Sequence, residues 1–289
     1  MGACNTTEDA TWPQYEREAS QVSPRRPQEA LDIYQKALNN KLKANDQMKL
    51  SASIGRSYLI IGILSGHKSI QNYRQAIRSI LNALPHLEAE DKRNYSLGFF
   101  FLGLFYGESK QFEKAIENMN KAHELRKDLY SEYTLEGLMC AAGFAYIKIQ
   151  EDKKQEAIGI FKEIVTILET RKLEKTLDEN NLADPLVYNI KMAEAEHFPT
   201  LPKLYFSIGE LYLDLGNQAE AYSYFNKQLD FIKRQADDLA QFDYNKQLSI
   251  NADMIRSVYL AHPETKEFLE KLISFWSGNT SHNPVVDTH

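Results

Sequence analysis

The sequence predicts an all-α protein in which antiparallel helix pairs stack into a right-handed superhelical array, closed by C-terminal capping helices. Apolar residues recur at spacings of three and four, the period of a helix with one buried face. A short pattern containing Gly and Tyr appears in several copies, and self-similarity of this kind indicates a repeat protein. The 289 residues include only 13 Gly and 9 Pro, which is sparse for a loop-rich all-β protein.

The clearest copy of the pattern covers residues 204–228. Its first half, LYFSIGELYLDLG, carries Gly209 and Tyr212, and its second half carries Ala221 and Phe225. A Gly-Asn pair separates the two halves. The copy therefore predicts a helix, a tight turn and a second helix.

The same skeleton recurs upstream. One copy has Leu102, Gly103 and Tyr106, followed by Ala115, Met119 and Ala122. A second has Ala142, Gly143 and Tyr146, followed after a turn two residues longer by Ala157, Phe161 and Ile164. A third, looser copy has Ile54, Gly55 and Tyr58, followed after a turn nine residues longer by Ala76, Ile80 and Ala83. A second helix with Ala30, Tyr34 and Ala37 is predicted to pair with a first helix over 12–19.

This pattern resembles the tetratricopeptide repeat, which places a bulky residue, Leu, Gly and Tyr on helix A, and Ala, an aromatic and Ala on helix B. The resemblance covers roughly residues 12–235. It implies that the Gly and the first Ala let the two helices of one repeat approach closely. The glycines Gly55, Gly103, Gly143 and Gly209 are 48, 40 and 66 residues apart, against the family's usual 34, so longer helices are expected.

The segments follow from where the pattern holds. Residues 12–235 are predicted to form the repeats, interrupted by an insertion at 171–200 that contains an extra helix over Leu186–His197. Residues 236–277 read as capping helices, which solenoids need to cover their last apolar face. A flexible tip at 1–11 and a disordered polar tail at 278–289 are expected at the two ends.

Helix A of each repeat lines the inner face of a solenoid, so the repeat register names the expected partner-binding residues. They are Leu97, Phe100, Leu104, Cys140, Phe144, Ile147, Phe206, Glu210 and Leu213. An apolar strip this wide needs a cover. The cover is a partner helix or extended segment, or it is the chain's own insertion or C-terminal helices; alternatively, some of these residues are core between long helices.

The sequence indicates no chemistry beyond binding. Net charge is −6 without a basic stripe, so no nucleic-acid partner is expected. No nucleotide, metal or complete nucleophile signature occurs, so no catalytic residue, metal or cofactor is expected. Glu194 and His197 match the spacing of a metal-ligand pair, but without partner copies they are expected on a solvated helix face.

Two functions therefore stand out, both non-enzymatic. The first is a scaffold that binds a partner helix or peptide. The alternative is a peptide-responsive regulator, which a short peptide would stabilise thermally. An enzyme with an unfamiliar site is the third hypothesis, and clustered buried carboxylates near His197 would favour it. The sequence indicates no oligomeric state.

The N-terminal residues MGACNT match the N-myristoylation pattern at Gly2 and also resemble the mature start of a bacterial lipoprotein, with Cys4 as the lipidated residue. An unmodified tip is the third interpretation. No apolar run reaches the roughly 20 residues that span a bilayer. The chain is expected to be cytoplasmic, or membrane-anchored if Cys4 or Gly2 carries lipid, and fractionation of the Cys4→Ser chain distinguishes the two.

Overall fold

The structure, a computed structural model, describes residues 12–22, 26–37, 44–68, 73–170 and 185–238. Within these ranges the chain forms helices and no strand, which confirms the predicted all-α class. The helices are α1 Trp12–Val22, α2 Pro27–Ala37, α3 Ala44–Lys68, α4 Tyr73–Leu87, α5 Lys92–Glu108, α6 Phe112–Lys127, α7 Leu135–Gln150, α8 Lys154–Thr170, α9 Pro185–Ala195, α10 Leu201–Asp214 and α11 Gln218–Asp238. The predicted tip, the capping helices beyond 238 and the tail lie outside the described residues.

The chain divides into two compact units, residues 1–201 and 202–289. In the first unit, α1 packs on α2, α3 on α4, α5 on α6 and α7 on α8. The second helix of each of the first three pairs also contacts the first helix of the next pair. This pair-by-pair stacking in chain order is that of an α-solenoid. The helix expected in the insertion is present as α9.

The α3–α4 pair is antiparallel, as the contacts along it show. A Cβ added at Gly55, early in α3, would lie 2.8 Å from the Cγ atom of Leu87 at the end of α4. A Cβ added at Gly62, seven residues later, would lie 3.0 Å from the carbonyl oxygen of Ala76 near the start of α4. The backbone of α3 therefore lies close to a backbone atom of α4 at Gly62, because the glycine has no side chain.

Gly62, and not Gly55, therefore holds the signature position of this repeat. In the α5–α6 pair a Cβ at Gly103 would lie 3.2 Å from the carbonyl oxygen of Ala115, the same contact that Gly62 makes with Ala76. The predicted turn, nine residues longer than usual, was wrong because helix α3 continues to residue 68. Only residues 69–72 separate α3 from α4.

The turn inside a repeat has the same geometry in three pairs. The residue with left-handed backbone is Lys110 after α5, Asp152 after α7 and Gly216 after α10, with φ of 59°, 60° and 74°. In each turn the amide of the following residue donates to the carbonyl five residues earlier, at 2.8 Å. This is the Schellman motif that ends many helices. The turn predicted to be two residues longer after α7 is thus no longer than the other two.

The two additional residues lie in helix α7 and change the direction in which Gly143 faces. Gly103 lies seven residues before its left-handed turn residue, whereas Gly143 lies nine before its own. A shift of two residues along a helix changes the direction in which a position faces by about 200°. A Cβ at Gly143 would accordingly meet Met119 Cε at 2.5 Å and Phe100 Cε2 at 3.1 Å, both in the preceding pair. Fully buried Ala145 takes the signature position instead.

In the second unit, α10 and α11 form a pair of the expected kind. A Cβ at Gly209 would collide with the ring of Phe225, so the glycine again permits close approach within its own pair. Tyr224 packs against Tyr212 at a ring-centroid distance of 5.9 Å and against Tyr205 at 6.3 Å. Aromatic contacts of this kind fill the space between the two helices.

The close approach at Gly62 predicts the effect of two matched substitutions. We expect Gly62→Ala to lower the free energy of unfolding by about 1–3 kcal/mol, because the new methyl overpacks the contact with Ala76 and Ile80. We expect Gly159→Ala to raise it by about 1 kcal/mol, because Gly159 is exposed in mid-helix with open space at its Cβ position.

Urea unfolding followed by circular dichroism measures both changes. An unchanged or increased stability of Gly62→Ala would show that α3 and α4 do not touch where the structure places this close approach.

Candidate functional site

The structure brings six of the nine predicted partner-binding residues together. Leu97, Phe100 and Leu104 lie on α5, Cys140, Phe144 and Ile147 lie on α7, and these two helices pack against each other. We call these six residues the inner face. Four of them are buried, with at most 1% of Leu97, Phe100, Cys140 and Ile147 exposed. Leu104 and Phe144 keep part of their surface in solvent.

The remaining three predicted residues lie on α10 of the second unit. Phe206 and Leu213 are buried, with 6% and 5% of their surface exposed. Glu210 is half-buried. Burial raises the pKa of Glu210 to about 7, and the negative charge of nearby Asp214 acts in the same direction. Glu210 therefore carries its charge only partly at neutral pH.

The chain's own insertion reaches the inner face. Helix α9 packs on α3, and its Ile190 and Ala193 belong to the apolar core of the first unit. Just after α9, the ring of His197 meets Phe100 edge-on at a centroid distance of 5.7 Å and Phe101 at 5.1 Å. Within the described residues, the insertion contacts Phe100 and so forms one of the covers expected for this face.

A glutamate on α9 anchors this contact through two arginines. Oε1 of Glu194 accepts a hydrogen bond of 2.7 Å from Nη2 of Arg126, on α6. Oε2 accepts one of 2.9 Å from Nη2 of Arg93, on α5. The side chains of Glu194 and Arg126 are each only 1% exposed, and that of Arg93 is 20% exposed. The expectation that Glu194 lies on a solvated face was wrong.

Arg126 has further partners but keeps one donor group unused. Its Nε donates to the backbone carbonyl of Glu136 at 3.1 Å, and its guanidinium lies 4.8 Å from the centre of the Tyr130 ring. Its Nη2 also lies 3.7 Å from the Met139 sulfur. Nη1 is buried without a hydrogen-bond partner among the described residues. A buried guanidinium with an unused donor can donate a hydrogen bond to a further acceptor atom.

The charges of Glu194, Arg126 and Arg93 affect the pKa values of the buried groups around them. Burial alone would raise the pKa of Glu194, but Arg126 and Arg93 hold that pKa below its ordinary value. Burial, aided by the Glu194 charge, raises the pKa of Tyr130 to about 12. Burial also raises the pKa of Cys140 to about 11. The Cys140 thiol is therefore neutral at physiological pH and behaves as a small apolar side chain rather than a nucleophile.

Sequence reasoning did not find the pairing of Arg126 with Glu194. The two residues are 68 positions apart, and the other charged residues of α6, the helix of Arg126, are exposed. The available signal was the position of Glu194, which lies beside the apolar residues Ile190 and Ala193 on the insertion helix. In the described part of the chain, no group of three His, Cys, Asp or Glu residues could hold a metal ion.

Comparison with protein families supports the repeat assignment. Residues 98–129 and 202–233 each match the tetratricopeptide repeat. The first segment corresponds to α5 and α6, and the second to α10 and α11, so each unit contains a matched helix pair. Stacked helix pairs with this signature are typical of α-solenoids, and tetratricopeptide repeats generally mediate protein–protein interactions. The chain therefore contains tetratricopeptide repeats at these two helix pairs.

A search of curated proteins found no match to this chain. Among the described helices, none combines the length and the apolar character needed to cross a membrane. The residues proposed for lipidation, Gly2 and Cys4, lie outside the described residues, and their modification stays a prediction.

The half-buried carboxyl of Glu210 predicts a pH dependence of stability. Its pKa of about 7 exceeds the ordinary value of 4.5, so between these pH values the folded chain holds a proton that the unfolded chain has lost. Stability should therefore fall as pH rises through this window. We expect Glu210→Gln, which stays neutral, to gain several degrees in melting temperature over the wild type at pH 8 and little at pH 4.

Calorimetry at the two pH values measures this difference. Glu220→Gln is the control, because the side chain of Glu220 on α11 is exposed and should show no such pH-dependent gain. Equal gains for both variants would contradict the burial of the Glu210 charge.

Proposed function

We propose that this protein is a non-enzymatic scaffold that binds a helix or peptide of a partner protein on the inner face. Tetratricopeptide repeats generally mediate protein–protein interactions, and the lack of an enzymatic role is inferred from that family. The observation that carries the proposal is α9, a helix that already lies on α3 and reaches Phe100 through His197. The surface of α3 beside the inner face therefore already accommodates one helix, which supports the binding of another apolar segment there.

The accessible part of this face is small but defined. Leu104 and Phe144 are the two inner-face residues with exposed surface, and they lie on the contacting helices α5 and α7. A partner can therefore touch the exposed part of these two side chains while the described residues keep their positions. Contact with Phe100 or Cys140, which are at most 1% exposed, requires that a covering segment move away.

A peptide-responsive regulator is the second candidate, and α9 is also the observation that favours it. If a peptide takes the place of α9, peptide binding and the release of α9 are linked equilibria. Such a protein should gain thermal stability from a short peptide, because the ligand binds only the folded state. Absence of any shift with a pool of helical peptides would leave the scaffold as the better description.

The scaffold proposal predicts which surface changes abolish binding. We expect Leu104→Lys combined with Phe144→Lys to reduce capture of a partner from the native host at least ten-fold, because charged side chains cannot pack against an apolar segment. The matched control is Leu81→Lys with Leu129→Lys, two exposed apolar residues that do not belong to the inner face. The control pair should capture the partner as the wild type does.

Circular dichroism must show that both double variants remain folded. If the inner-face pair unfolds, Leu104→Ala and Phe144→Ala, which only remove atoms, replace it. Phe100 is unsuitable for this test, because a charge at a side chain that is 1% exposed would destabilise the fold. Equal capture by the inner-face and control variants would show that the partner binds elsewhere.

A further inference from the structure

We propose that Arg93 and Arg126 form a carboxylate-binding site beside the inner face. Glu194 of α9 fills this site in the structure, and a helical partner peptide that presents one glutamate among aliphatic residues fills it when α9 leaves. This inference rests on the proposed binding function of the inner face and names the chemistry of its ligand.

The geometry of the site is that of carboxylate recognition. The two oxygens of Glu194 accept from different arginines, at 2.7 Å and 2.9 Å, so the carboxylate bridges α6 and α5. Arg126 is 1% exposed, and its Nη1 has no hydrogen-bond partner in the described part of the chain. The guanidinium thus has a second NH2 group, Nη1, to which the internal glutamate makes no hydrogen bond. A ligand carboxylate that accepts hydrogen bonds from both NH2 groups of Arg126 would form a stronger, bidentate pair.

Helix α9 shows what else the ligand must carry. Ile190, Ala193 and Glu194 are spaced i, i+3 and i+4, so they share one face of α9, and His197 follows in the turn after the helix. Ile190 and Ala193 are at most 7% exposed, whereas Met192 on another side is 51% exposed. The ligand is therefore a short amphipathic helix with a carboxylate within its apolar stripe.

Two observations make α9 exchangeable. It has 11 residues, and a helix this short is marginal without external contacts. Its anchor is a buried ion pair, in which the cost of removing charges from water offsets much of the attraction, so the pair adds more specificity than stability. The main advantage of α9 over a free peptide is its covalent tether, which gives an effective concentration on the order of millimolar.

The test uses the peptide of residues 185–200, PLVYNIKMAEAEHFPT, with blocked termini so that only side chains carry charge. Its binding to the full-length Glu194→Gln chain is measured by fluorescence anisotropy. We expect this chain to bind the peptide at least ten-fold more tightly than the wild type, because its own α9 no longer competes with a carboxylate.

Matched peptides isolate the role of the carboxylate. The Glu194→Gln peptide should bind the Glu194→Gln chain at least ten-fold more weakly than the parent peptide, a loss of about 1.4 kcal/mol. The Glu196→Gln peptide should bind like the parent, because Glu196 is exposed. Adding Arg126→Gln to the chain should remove the preference for the parent peptide.

A second measurement keeps the test valid if the Glu194→Gln chain does not fold. In the wild-type chain, excess parent peptide should speed amide hydrogen exchange in α9 and leave α5 and α6 unchanged, and the Glu194→Gln peptide should not. Equal binding of the parent and Glu194→Gln peptides would overturn the proposal, as would a parent peptide that neither binds nor affects α9.

Failure of this inference remains distinguishable from failure of the proposed function. If the peptides show no carboxylate preference but the Leu104 and Phe144 variant still loses its partner, the inner face binds proteins by another chemistry. If neither effect is seen, the binding role of this face fails as well.

Discussion

The distance to which two helix backbones can approach governs this structure. At Gly62 and Gly103 the absence of a Cβ lets the backbone of one helix lie against a carbonyl of its partner, at Ala76 and Ala115. The direction in which the small residue faces then decides which contact forms. Gly143 faces the preceding pair, because α7 contains two more residues before its turn. One residue type therefore produces both the pairing of helices and the stacking of pairs.

Close stacking has a consequence for the surface. It aligns the first helices of successive pairs, and α3, α5 and α7 contact one another in chain order. Their apolar residues form a strip too wide to leave in water, and α9 covers part of it. The cover is not purely apolar, because it carries Glu194 into a buried position. That charge is tolerated only because Arg126 and Arg93 meet it there.

The sequence predicts the parts of this arrangement that local spacing controls. The pairs around Gly103 and Gly209 follow from a glycine and an alanine twelve residues apart, and the turn at Gly216 follows from glycine's tolerance of positive φ. Gly55 and Gly62 are not distinguishable in this way, because positions seven residues apart share a helix face. Sequence spacing also cannot predict the pairing of Arg126 with Glu194, because only the tertiary position of α9 brings the two residues together.

The buried carboxylate of Glu194 bears on which helix can occupy this position rather than on the stability of the fold. An apolar residue in place of the Glu194 side chain would leave Arg126 charged, 1% exposed and without its anionic partner. An unpaired buried charge of this kind is costly, on the order of 3–5 kcal/mol when one partner of a buried pair is removed. Any helix that replaces α9 meets the same requirement, because the arginine belongs to α6 and stays in place. Under the proposed exchange, a helix with the right apolar stripe but no carboxylate would therefore be rejected by the charge it leaves unpaired.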